Sequence, residues 1–83
     1  MKPILVLCVN SFAKNVLLVR NRLGLTNEEF CRQFEMEQWM MDRIENGDPY
    51  YGFDIYVDSF RKILSTFDLD GDKFIFGDIS EDI

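Results

Sequence analysis

Histidine is absent from this chain, and the two cysteines, Cys8 and Cys31, do not stand at metal-ligand spacing. Those two facts exclude zinc-finger sites and every catalytic arrangement that depends on histidine. Both thiols are expected to be reduced and structural, which implies a cytoplasmic location. Positive charge is also scarce: nine Lys and Arg face fifteen Asp and Glu, a net charge of −6. Strong nonspecific attraction to nucleic acid needs the opposite balance, because cations must displace the counterions of the phosphates. Long apolar runs are missing too. Ile4 to Val9 is too short to span a bilayer, and no membrane association is expected. A signal peptide would need a longer apolar region and small residues before a cleavage point, whereas Asn10-Ser11-Phe12 leads directly into a helical pattern.

What is present suffices for one core. Apolar residues make up 47% of the 83 and aromatics 14%, eight of them Phe, so the chain can close a core without metal or disulfide. No repeat, low-complexity tract or linker divides it, and residues 1–83 are expected to form one domain. The order reads as strand, four helices, strand, with a helical core over about 11–69 and terminal strands over about 3–9 and 73–77. Ser11 is placed to cap a first helix in which Phe12, Val16, Val19 and Leu23 recur at helical spacing before Gly24. Leu17 and Leu18 lie off that stripe and call for a separate cover. Thr26-Asn27-Glu28-Glu29 has the spacing of a capping box, opening a second helix that turns Phe30, Cys31 and Phe34 inward. After a break at Glu35-Met36, a third helix from Glu37 buries Met41 and Ile44 and stops at Asn46-Gly47. Beyond a loop with Pro49 and Gly52, Val57, Phe60, Ile63, Leu64 and Phe67 mark a fourth helix capped near Asp54. Asp68 to Asp72 reads as a turn, and Lys73-Phe74-Ile75-Phe76 as a closing strand. The two terminal strands are expected to pair as an antiparallel ribbon, either covering Leu17 and Leu18 or joining a second copy.

One stretch carries a family resemblance. Gly24-Leu25-Thr26-Asn27-Glu28-Glu29-Phe30, followed by Met36, Met41 and Arg43-Ile44-Glu45-Asn46-Gly47, resembles helix two, turn and helix three of the XRE, or Cro/C1-type, helix-turn-helix regulators. With the fourth helix included, the resemblance covers roughly residues 12 to 69. It implies a mainly α fold, a lambda-repressor-like domain of four to five helices, to which the terminal strands add short N- and C-terminal β-strands. It also implies sequence-specific binding of double-stranded operator DNA by a homodimer matched to a two-fold site. Carried over by position, Asn27 and Asn46 would contact phosphates, while Gln38, Trp39, Asp42 and Arg43 would face base edges, where Gln suits adenine and Arg suits guanine. The family's helix-one arginine has its counterpart in Arg20, which would pair with Glu45 and tie the first helix to the end of the third. The alternative for that pair is two ordinary surface charges.

The departures point elsewhere. Glu35 stands where the family turn usually has Gly, Glu37 where it has a small hydroxyl residue, and Trp39 where small or polar residues are usual. A glutamate at position 37 favours the helix dipole but meets a phosphate backbone with the wrong sign. Trp39 reads equally well as packing on a neighbour. Tyr50 and Tyr51, in a loop longer than the family's and without its bases, could meet a partner surface or simply anchor the loop. A second function therefore stands beside the first: an acidic protein-interaction module, such as a DNA-mimicking antagonist of a basic regulator. Catalysis is not expected, because no nucleophile, phosphate cradle or metal cluster accompanies the many carboxylates. Nor is a cofactor. Asp68 to Asp72 has a calcium-loop look, but Lys73 stands where that loop needs Gly and Ile79 where it needs a bidentate Glu.

Overall fold

The structure, a computed structural model, describes residues 3–7, 10–47 and 53–83. Along these the chain forms β1 (Ile4–Leu7), α1 (Asn10–Leu23), α2 (Asn27–Phe34), α3 (Gln38–Glu45), β2 (Phe53–Tyr56), α4 (Val57–Ser65) and α5 (Gly71–Phe76). The domain is mainly helical with one short antiparallel strand pair, the class expected from the sequence. Pro49, Tyr50, Tyr51 and Gly52 lie outside the described residues, as does Cys8.

The central helix is α1, which packs on α3 and α5 while α2 packs on α3 and α4. Phe12, Val16 and Val19 are fully buried, as the helical stripe required, and Leu17 and Leu18 pack half-buried against the same core. The helix starts at Asn10, one residue ahead of the expected cap at Ser11. It ends in a Schellman motif: Gly24, at φ +70°, donates to the Asn21 carbonyl, and Leu25 donates to that of Arg20.

Two sequence assignments are corrected. Residues 73–77 are not a strand. Lys73-Phe74-Ile75-Phe76 belongs to α5, because Asp70 takes the N-cap position and accepts from the Lys73 amide at 3.0 Å. That cap, with Asp72 in the first turn, settles a short apolar run whose periodicity fits strand and helix alike. Phe74 drops into the core against Phe12 and Phe60, with both ring centroids at 5.7 Å. The terminal ribbon therefore does not form. β1 pairs instead with β2, in the register Ile4↔Tyr56, Leu5↔Ile55, Val6↔Asp54 and Leu7↔Phe53. The second correction follows: Asp54 lies in that strand and does not cap α4, whose N-cap is Tyr56 without a side-chain bond. Alternation is the reason, since Ile55 is buried while Asp54 is exposed.

Candidate nucleic-acid interface

Thr26 begins the unit. Its hydroxyl accepts from the Glu29 amide at 3.2 Å, and Glu29 Oε1 accepts from the Thr26 amide at 2.9 Å, so two orphan donors of α2 are satisfied reciprocally. Hydrogen bonding by the Thr26 backbone amide, with a smaller contribution from the Thr26 side chain, holds the Glu29 carboxyl below the ordinary glutamate range. Phe30 and Phe34 turn inward, and the helix ends where Glu35 takes the left-handed conformation, φ 56°. Glu35 stands where the regulators this stretch resembles usually have glycine, and a side chain there costs about 1 kcal/mol. The turn closes as Met36 donates to the Cys31 carbonyl at 3.0 Å. Met36 then packs into the core and α3 begins, with Met40, Met41 and Ile44 inward.

The outer side of this unit gathers five of the six expected contact residues. Gln38 Nε2 donates to Oδ1 of Asn27, across the turn, and to Oδ1 of Asp42 at 2.9 Å. Asn27, Gln38 and Asp42 thus form one polar strip. Both amide hydrogens of Gln38 are committed within it, so paired recognition of adenine requires one of these bonds to open. One turn round, the Arg43 guanidinium lies over the Trp39 ring, 4.9 Å from its centroid. Trp39 is 45% exposed; it stacks under Arg43 and still keeps a large surface in solvent. Asn46 is separate from both groups. It is exposed at the C-cap of α3, its amide donating to the Asp42 carbonyl at 3.0 Å, and it stands a full helix length, about 12 Å, beyond Gln38.

The expected ion pair is present. Arg20 Nε lies 2.8 Å from Glu45 Oε1, off the line of a good hydrogen bond, while one terminal nitrogen reaches Oε2 at 3.5 Å and another donates to the Leu25 carbonyl at 3.0 Å. The side chains are 18% and 30% exposed. The pair ties α1, the α1–α2 turn and the end of α3 together, which fixes the angle at which α3 is presented. Arg20→Ala should therefore cost about 2 kcal/mol, chiefly by stripping charged hydrogen bonds from partly buried acceptors. Arg22→Ala, at an exposed position of the same helix, should stay within about 0.5 kcal/mol. Urea denaturation of the two variants checks this; equal midpoints would contradict it.

The charge around α3 is negative. Glu35, Glu37, Asp42 and Glu45 all stand on or beside it and are exposed. Cys31, buried and free, registers the field: burial raises its thiol above the ordinary value, and the carboxylates of Asp42, Glu37 and Glu45 add to the effect. The thiol therefore stays protonated at neutral pH, as a structural cysteine. Among the described residues three lysines are already engaged, Lys62 with Glu35 at 3.7 Å, Lys14 with Asp78 at 3.4 Å and Lys73 with Asp82 at 2.7 Å.

Behind Trp39, a cavity of about 350 Å³ opens between the start of α3 and the β1–β2 pair, lined by Ile4, Glu35, Met36, Glu37, Trp39, Met40, Asp54, Ile55 and Tyr56. The sequence did not predict it, because its far wall belongs to β2, where a helix cap at Asp54 was expected. The alternation of Phe53-Asp54-Ile55-Tyr56 was the available signal. Among the described residues, no group of three or more His, Cys, Asp and Glu is placed to hold a metal ion, and no helix is long and apolar enough to cross a membrane. Comparison with protein-family models, with curated proteins and with solved structures finds no match to this chain.

Proposed function

We propose that this chain is a cytoplasmic, non-enzymatic regulator of transcription that binds double-stranded DNA sequence-specifically as a homodimer, in the manner of the XRE regulators it resembles. One observation carries the reading. Two eight-residue helices, joined by a left-handed turn, hold Asn27, Gln38, Trp39, Asp42 and Arg43 on the outer side of the unit, and the Arg20–Glu45 pair braces the second helix from behind. The second helix is then free to enter a major groove, with Arg43 as the guanine reader and the Asn27 amide, at the start of α2, as a phosphate donor. No cofactor is required.

The acidic surroundings favour a second reading, an interaction module or DNA mimic that keeps this fold without binding DNA. The four carboxylates around α3 and the net charge of −6 support it.

Selection from a random duplex library at low salt separates the two. The first reading expects enrichment of a palindrome whose half-sites lie one helical turn apart, about 34 Å, or a multiple of it. The second expects no enrichment, with basic proteins captured instead.

A further inference from the structure

The cavity behind Trp39 combines two properties that the DNA reading does not use. Its floor is apolar, reaching down to Met36, and its walls include two large apolar side chains left open to solvent, Trp39 and Ile4, the latter 49% exposed. Its rim is acidic: Glu35, Glu37 and Asp54 surround the opening, and among the described residues that line it there is no Lys or Arg. Lys62 lies 3.7 Å from Glu35, which leaves Glu37 and Asp54 as the stronger negative charges. At about 350 Å³ the space falls within the range of ligand-holding clefts. A methionine floor suits it to side chains of varied shape.

We infer that this cleft is a docking site for a basic amphipathic segment of a partner protein, one that inserts apolar side chains between Trp39 and Ile4 and sets Lys or Arg against Glu37 and Asp54. Charge complementarity selects this occupant. An acidic or purely apolar segment would leave the rim carboxylates unpaired or partly desolvated, at a cost that basic residues remove. A second copy of this chain, acidic overall, fits the rim poorly. The site stands independently of DNA binding, but the two share Trp39 and Glu37, so a docked segment would exclude a duplex from the start of α3.

Trp39 is the only tryptophan, so its fluorescence reports on the cleft directly. The probe is a synthetic helical peptide of Leu and Lys, with controls carrying Glu for Lys or Ser for Leu. The Leu-Lys peptide should give a saturable blue shift that neither control gives. The double variant Glu37→Gln/Asp54→Asn should weaken binding about fivefold, the loss of two exposed charge pairs. Ile4→Thr, which keeps the β-branch that suits a strand, should weaken it by a similar factor through the apolar wall. All three substitutions are at exposed positions, and far-UV circular dichroism verifies that the variants fold. The inference is overturned if the peptide does not bind, if the Glu control binds as well, or if folded variants bind like wild type. A Trp39 shift that depends on protein concentration alone would overturn it too, in favour of a second copy as occupant.

Discussion

Phe74→Ala should destabilise the domain by about 4 kcal/mol, near the upper range for truncating a buried aromatic. Phe74 is fully buried and makes edge-on contact with both Phe12 and Phe60, which lie 6.3 Å apart. Its ring closes a three-phenylalanine cluster joining α1, α4 and α5. Alanine would leave a cavity bounded by two rigid rings, and those cannot close over it without moving helices. A domain of this size is held by only about 5 to 10 kcal/mol, so the variant should be close to unfolding at physiological temperature. Phe76→Ala is the control, because Phe76 is exposed on the same short helix. Its urea midpoint should match wild type. Equal losses for the two would mean that α5 is not seated through Phe74.

The second large effect is expected at Asn15. This side chain is completely buried in α1, yet every bond it makes goes to the C-terminal segment. Nδ2 donates to the carbonyls of Phe74 at 2.7 Å and Gly77 at 2.9 Å, and Oδ1 accepts from the Ile79 amide at 3.3 Å. Asn15→Leu keeps the size but strips the partner from two carbonyls and an amide, the bonds to Phe74 and Ile79 being buried and that to Gly77 part-buried. At about 1 kcal/mol or more for each stranded group, the loss should be about 3 kcal/mol. Amide hydrogen exchange gives the sharper readout: Ile79 should lose protection while the amides of α2 and α3 keep theirs. Undiminished protection at Ile79 would show that Asn15 does not hold the segment.

These two residues mark where the sequence was legible and where it was not. The capping box at Thr26, the inward Phe30 and Phe34 and the stop at Gly47 followed from local chemistry at short spacing, whereas the Arg20–Glu45 pair, 25 residues apart, was implied only by the family resemblance; the structure has each of them. Asn15 was invisible because an asparagine inside an apolar stripe has no local signature of burial; its partners lie about sixty residues away in sequence. Phe74 was legible as part of an apolar segment, but neither as a core residue nor as helix. Three consecutive apolar residues fit either period, and the deciding signal, Asp70 as N-cap, had been read as part of a turn. β2 was missed because Pro49 and Gly52 mark a loop and Asp54 has the chemistry of a helix cap, so the alternation of Phe53 to Tyr56 was divided between loop and helix. At the candidate interface, the family resemblance placed the expected contact residues on one unit, but spacing could not reveal that Gln38 is already held by Asn27 and Asp42, or that Arg43 rests on Trp39. Such details depend on rotamers, which spacing does not encode.

They bear directly on how an acidic domain could read DNA. With Lys14 and Lys62 engaged by carboxylates, few cations remain for phosphates, and the attraction must come from Arg43, Arg32 and the helix amino ends. Binding should then be specific but shallow in its salt dependence, because the slope counts the phosphates neutralised. The most direct measurement is a titration of wild type, Glu37→Ser and Arg43→Ala against palindromic and scrambled duplexes at two salt concentrations. Glu37→Ser should tighten binding to every duplex by removing a carboxylate from the α3 amino end, while Arg43→Ala should cost about 1 to 3 kcal/mol on the palindrome and relax preference at one base position. If neither wild type nor Glu37→Ser binds any duplex at low salt, α3 does not read DNA and the regulator account fails.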